Sequence, residues 1–180
     1  MCQRLLLLML VCATGPSAMA LNEPDLEHQI KAAYLYKFLG YVEWPSTAFA
    51  QLGAPVIIGV IGADAVATEL GRLKSGRLVN NRAIEVKQLR TDDSIAGVHV
   101  LYIAQQEASN LKRLLSAIQA QPVLTITDSA GGLDFGSVIN FVPVDNRVRF
   151  EVSVVHAERS GLKVSARLLA VAQRIETGRP

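Results

Sequence analysis

Val123-Leu-Thr-Ile-Thr-Asp128, Gly136-Ser-Val-Ile-Asn-Phe141, Arg147-Val-Arg-Phe-Glu-Val152 and Gly161-Leu-Lys-Val-Ser-Ala-Arg-Leu-Leu169 follow one another without a linker, and their reading decides the fold. The first segment is a short apolar run rich in β-branched residues and reads as a strand, ended by the turn formers Asp128 to Gly132. Ser137 to Val142 and Arg147 to Val154 read as two strands joined across Pro143 to Asn146. The second alternates strictly, with Val148, Phe150, Val152 and Val154 on one face and Arg147, Arg149, Glu151 and Ser153 on the other, the pattern of a half-buried strand. Gly161 closes a short turn, and Ser165 is placed to cap a helix whose Leu168, Leu169, Ala172 and Ile175 form an apolar stripe.

Upstream, Asn22 and Pro24 mark a helix start, and Leu26, Ile30, Ala33, Tyr34, Phe38 and Tyr41 recur at helical steps up to Trp44-Pro45. Val56 to Ile61 is a continuous apolar run that fits a strand buried on both faces. Asp64 to Leu73 reads as a helix, Ala83 to Leu89 and Val98 to Ala104 as strands, and Glu107 to Ala120 as a helix stopped by Gln121-Pro122. Strands alternating with helices predict an α/β fold. The expected domain is single and layered: a mixed, mostly parallel sheet flanked by helices, with a C-terminal β-hairpin plus helix. It would span residues 21–180.

Residues 1–20 have the build of a secretory signal, with Arg4, an apolar core from Leu5 to Ala13, and Ala18-Met19-Ala20 as the cleavage site. The predicted mature chain starts at Leu21. Val11 before Cys12 does not suit a lipid-attachment box. Both cysteines, Cys2 and Cys12, fall inside this segment, so the domain is expected to fold without disulfides in an oxidising compartment, the periplasm. With 18 Lys and Arg against 16 Asp and Glu, the chain lacks the basic excess of a nucleic-acid binder, and nucleic acid is not an expected partner.

The sequence carries no H-E-x-x-H, no G-x-S-x-G, no phosphate-binding glycine loop and no C-x-x-C, so it offers no anchor for an enzymatic reading. No residue is assigned to catalysis, to a cofactor or to a metal. Gly59 to Gly62 fits tight strand-to-helix geometry, and Gly131 to Gly136 a flexible connection. His99, inside Val98 to Leu101, reads as a core imidazole satisfied by backbone, His28 as a residue on the wet side of the first helix, and His156 as part of a turn. Tyr34, Phe38 and Tyr41 are expected to pack the first helix on the sheet. Tyr36 falls off that stripe and with Trp44 is a candidate protein-binding pair. The outward row Arg147, Arg149 and Glu151 is a second such candidate, and otherwise a solvated strand face. Asp128 and Asn140, near strand ends, are candidate ligand-binding residues.

The four C-terminal motifs, together with Lys31-Ala-Ala-Tyr-Leu-Tyr-Lys-Phe38 and Val42-Glu-Trp-Pro45, resemble the YfiR family of small periplasmic proteins. Ser137 and Ser153 stand where that family often has glycine and asparagine, and the domain lacks the cysteines of better studied members, so no disulfide-dependent behaviour carries over. The resemblance implies a non-enzymatic negative regulator. Such a protein binds the periplasmic domain of an inner-membrane diguanylate cyclase, lowers cyclic-di-GMP and biofilm formation, and is released when an OmpA-like outer-membrane lipoprotein sequesters it. A homodimer is left open. The alternative is a periplasmic small-molecule sensor that feeds a membrane receptor.

Overall fold

The structure, a computed structural model, describes residues 23–178, so the predicted signal, its cleavage site and Asn22 lie outside the described residues. In chain order the elements are α1 (Glu23–Phe38), β1 (Val42–Glu43), β2 (Val56–Ile61), α2 (Asp64–Leu73), β3 (Leu78–Val79), β4 (Arg82–Leu89), β5 (Val100–Ile103), α3 (Leu111–Ala117), β6 (Leu124–Thr127), β7 (Ile139–Val144), β8 (Arg147–Ser153), α4 (Val154–Arg159), β9 (Lys163–Val164), α5 (Ala166–Leu169) and β10 (Arg174–Glu176). The main sheet has eight strands in the order β10-β8-β7-β6-β5-β2-β4-β3. β4, β2, β5, β6 and β7 run parallel, β8 is antiparallel to β7 and β3 to β4, and β10 is parallel to β8. The α/β class and the mostly parallel mixed sheet agree with the expectation.

The continuous apolar strands are explained by cover on both faces. Val56, Ile58 and Val60 of β2 and Val100 and Tyr102 of β5 pack under α1 and α2, while Ile61, Leu101 and Ile103 meet Leu111, Leu114 and Leu115 of α3 on the opposite face. The chain is therefore doubly wound, with its switch of direction between β2 and β5. Gly59 sits in the middle of β2 because an added Cβ would stand 2.7 Å from the Leu89 side chain and 3.1 Å from Leu101. The β7–β8 hairpin turns through Asp145 and Asn146 at φ 49° and 57°, a left-handed pair suited to Asp and Asn.

Four local expectations are corrected. The stripe Leu168, Leu169, Ala172 and Ile175 does not lie on one helix: α5 ends at Leu169 and Ile175 pairs with Val152 in β10. The outer edge of β8 supplies backbone partners that a free helix end lacks, and Gln173 N–H already donates to Phe150 O at 2.8 Å. Val154 and His156 are in helix α4, not in a strand and a turn, because the Ser153 hydroxyl caps it by accepting from His156 N–H. The helix expected over Glu107 to Ala120 divides into a 3₁₀ turn at Gln105–Glu107 and a short α3. On α1 the buried residues are Ala32, Leu35 and Phe38, with Leu39 buried just past its end, whereas Leu26 on the helix and Tyr41 beyond it are exposed. α2 as well as the sheet packs against this helix, so the buried side is broader than one stripe and rotated from the predicted one.

Candidate functional site

Between β1 and β2 the chain runs from Trp44 to Ala54 as a strap held across the amino ends of β2 and β5. Its central anchor is His99, 5% exposed, whose Nδ1 accepts from Ile57 N–H at 3.1 Å. That bond leaves the proton on Nε2, which donates to Ala48 O at 3.1 Å. The Trp44 indole N–H donates to His99 O at 3.2 Å. Phe49 stacks on the imidazole, centroids 4.4 Å apart, and the Arg82 guanidinium covers the other side of Phe49 at 3.8 Å while donating to Ala54 O. The reading of His99 as a backbone-satisfied core histidine holds.

Strap and sheet border an open cavity of about 330 Å³ lined by Leu39, Val42, Trp44, Phe49, Val56 and Val79, with Glu43, Asn80 and Arg82 as its charged and polar members. Arg82 has no carboxylate partner among the described residues. Sequence reasoning missed Phe49 and Arg82 because they lie in a loop and at a strand start with no spacing that links them. A second cavity of about 560 Å³ lies at the carboxyl ends of β2 and β4, beside the switch point between β2 and β5 where doubly wound folds hold ligands. Its charged lining is Asp64, Asp92, Asp93 and Glu107 against Arg90, a balance that repels phosphates.

Burial lowers the His99 pKa, and the Arg82 charge adds to this, outweighing the Ala48 carbonyl that favours the charged form. The unfolded chain therefore binds a proton more readily than the folded one. The stability His99 contributes is complete above its unfolded pKa of about 6.5 and is lost as pH falls through the lower folded value. Urea midpoints are expected to drop on acidification below about pH 6.5, with a flatter profile over that interval in His99→Gln. Parallel profiles would show that other groups carry the acid sensitivity.

The other candidate residues are dispersed. Asp128, just past β6, accepts from Lys31 Nζ at 2.6 Å and from the Tyr102 hydroxyl at 2.7 Å, and Lys31 also pairs with Glu27 at 2.6 Å. Burial opposes the Lys31 charge, but the bonds to Asp128 and Glu27 prevail and hold its pKa above the ordinary lysine value. Burial first, then the adjacent Asp128 carboxylate, push the Tyr102 phenol well above its usual value. Asp128 Oδ1 and Ser129 Oγ are buried without a partner. Asn140 lies on the other face of the sheet: it pairs in register with Thr127, whose hydroxyl donates to Asn140 Oδ1 at 2.8 Å. An added Cβ on Gly132 would stand 2.5 Å from Asn140 Oδ1, so this loop is closely packed, and its Leu133–Phe135 segment is a 3₁₀ helix rather than a loose connection. Asp128 and Asn140 thus do not converge.

Tyr36 and Trp44 are half-buried against the main core, with Arg77 over the Tyr36 ring at 5.7 Å. Arg147 and Arg149 are exposed, on the part of β8 that β10 leaves uncovered, while Glu151 is engaged by Arg174 through two bonds of 3.0 and 2.9 Å. Among the described residues no group of three or more His, Cys, Asp or Glu is arranged to hold a metal, and no helix is long and apolar enough to cross a membrane.

Fold and site together define a doubly wound α/β domain with an aromatic-walled cavity at one end of its sheet and an exposed basic strand edge. The chain belongs to the YfiR/HmsC-like family, whose model matches residues 28–173. That family is regulatory and periplasmic, and its theme is diguanylate cyclase signalling. No curated protein is significantly similar. Among solved structures, a conserved domain protein from Vibrio cholerae O1 biovar El Tor matches with TM-score 0.51 and 13% identity, over 83% of this chain and 60% of that one. The ABC domain from Streptococcus pneumoniae in complex with L-Trp matches with TM-score 0.49 and 11% identity, over 67% of this chain and 55% of that one. The chain therefore spans little more than half the length of either, and the likeness to the Vibrio structure concerns the fold alone.

Proposed function

We propose that this protein is a periplasmic repressor that binds the periplasmic domain of an inner-membrane diguanylate cyclase and lowers cyclic-di-GMP output and biofilm formation. The family match over residues 28–173 is the observation that carries the reading. Repression requires only that the protein bind the inactive cyclase more tightly than the active one, because a ligand shifts a two-state equilibrium by its difference in affinity. Arg147 and Arg149, exposed on the free stretch of β8, suit docking to an acidic surface, and Glu151, Tyr36 and Trp44 are the remaining candidates for contact. Release by an OmpA-like outer-membrane lipoprotein completes the cycle.

Deleting the gene is expected to raise cyclic-di-GMP and biofilm mass, and returning the exported protein to the periplasm to reverse both. Unchanged cyclic-di-GMP in a strain that expresses the neighbouring cyclase sinks the reading. A second reading is favoured by the cavity under the strap. Its apolar walls, with Arg82 and Glu43 both in the lining, suit a small apolar molecule carrying a polar group. On that reading the protein is a solute sensor for a membrane receptor, with the ligand in this cavity rather than at Asp128 and Asn140. A cyclase gene next door supports the repressor, a histidine kinase gene the sensor.

A further inference from the structure

We propose that the strap from Trp44 to Ala54 is an acid-released flap: protonation of His99 frees it from the sheet and dismantles the cavity it borders. The inference depends on neither reading of function. Among the described residues the strap's backbone hydrogen bonds are internal, from Ala48 N–H to Pro45 O, Phe49 N–H to Ser46 O and Ala54 N–H to Gln51 O. Three side-chain bonds tie it to the sheet: the His99 ring to Ala48 O, the Trp44 indole to His99 O and the Arg82 guanidinium to Ala54 O. No strand ladder holds the strap down, so its hydrogen bonding to the sheet rests on His99 and Arg82, and it can open without the sheet unfolding.

The bonds of the His99 ring admit one protonation state. Nδ1 needs its lone pair to accept from Ile57 N–H, and Nε2 carries the proton donated to Ala48 O. A proton on Nδ1 sets two donors face to face and leaves Ile57 N–H without an acceptor. The imidazolium keeps its bond to Ala48 O, so when it turns to water it draws the strap with it, and Phe49, stacked on the ring, follows. Few charges face the ring. The strap, β2 and β6 have no ionisable side chain, while β4 supplies Arg82 behind Phe49 and the exposed Glu85, in register with Ile57. Glu43, just before the strap, is exposed as well, and solvent screens both carboxylates. Burial and then Arg82 make the closed form the poorer proton acceptor, so acid favours the open one. Trp44 and Phe49 line the cavity, and a molecule held there is therefore released on acidification.

Trp44 is the only tryptophan of the chain, so the emission of the exported protein reports on the strap. Between about pH 7.5 and 4.5 its maximum is expected to move to the red, and acrylamide to quench it several-fold more readily, while far-UV circular dichroism stays native. The open fraction should rise about tenfold per pH unit below about pH 6.5, the slope of a single proton, until the lower pKa of the closed form is reached. His99→Gln, which does not take up the proton, should hold the neutral spectrum over the same interval. The His99 ring resonance, followed by NMR in the parent, should titrate together with the Trp44 signal, a check that does not need the variant to fold. An emission maximum that stays in place or moves only as the circular dichroism collapses, a folded variant that shifts with the parent's midpoint, or a ring resonance that titrates at a different pH would each overturn the proposal.

Discussion

Asp128→Ala is expected to destabilise the fold by about 3–5 kcal/mol, since removing one partner of a buried ion pair leaves the other charge uncompensated. The Asp128 and Lys31 side chains are 9% and 12% exposed, and the Tyr102 hydroxyl loses its acceptor in the same step. Glu27, half-exposed, shields Lys31 only in part. Urea unfolding followed by circular dichroism measures the loss. A triple variant, Lys31→Met with Tyr102→Phe and Asp128→Leu, should recover much of it, because replacing all the polar partners by apolar ones removes the orphans. A loss below about 1 kcal/mol for Asp128→Ala would mean that water reaches the network.

Phe38→Ala should cost a similar amount, about 3–5 kcal/mol, from lost burial and the cavity left behind. Phe38 is 1% exposed and packs with its ring centroid 5.8 Å from Tyr34, 6.0 Å from Phe141 and 5.0 Å from Phe150. These rings clamp α1 onto the β7–β8 hairpin. Tyr41→Ala is the contrast, with an expected change within about 0.5 kcal/mol because that ring lies on the surface. Equal losses at the two positions would refute the burial assignment on α1.

Much of this could be read from residue order alone. Val56–Ile61 and Leu124–Thr127 carry their strand character in unbroken apolar and β-branched runs, and Asp145-Asn146 fixes the hairpin locally. Ile175 could not be read this way, since its helical spacing from Leu168 competes with an edge of β8 that exists only after the sheet has formed. The same limit applies to the site. His99 as a satisfied core residue followed from its apolar neighbours, but the Arg82–Phe49–His99 stack joins three residues whose only relation is tertiary. Tyr36 and Trp44 were singled out by aromatic clustering, which does not distinguish a ring turned to solvent from one leaning on a core. Lys31 and Tyr102 gave no signal because the carboxylate that unites them lies on a third element.

The β1–β9 ribbon bears on how the molecule comes to be folded. Val42 pairs with Val164 and Glu43 with Lys163, and Ser165 N–H donates to Tyr41 O, so the segment after the first helix is joined by residues close to the end of the chain. Pairings between distant parts of a chain bear the full loop-closure entropy before any contact repays it, which makes them slow to form. The ribbon cannot close during synthesis until Lys163 and Val164 have emerged, about 120 residues after the strand they pair with. A nascent or truncated chain ending before Lys163 keeps that end of α1 unlatched.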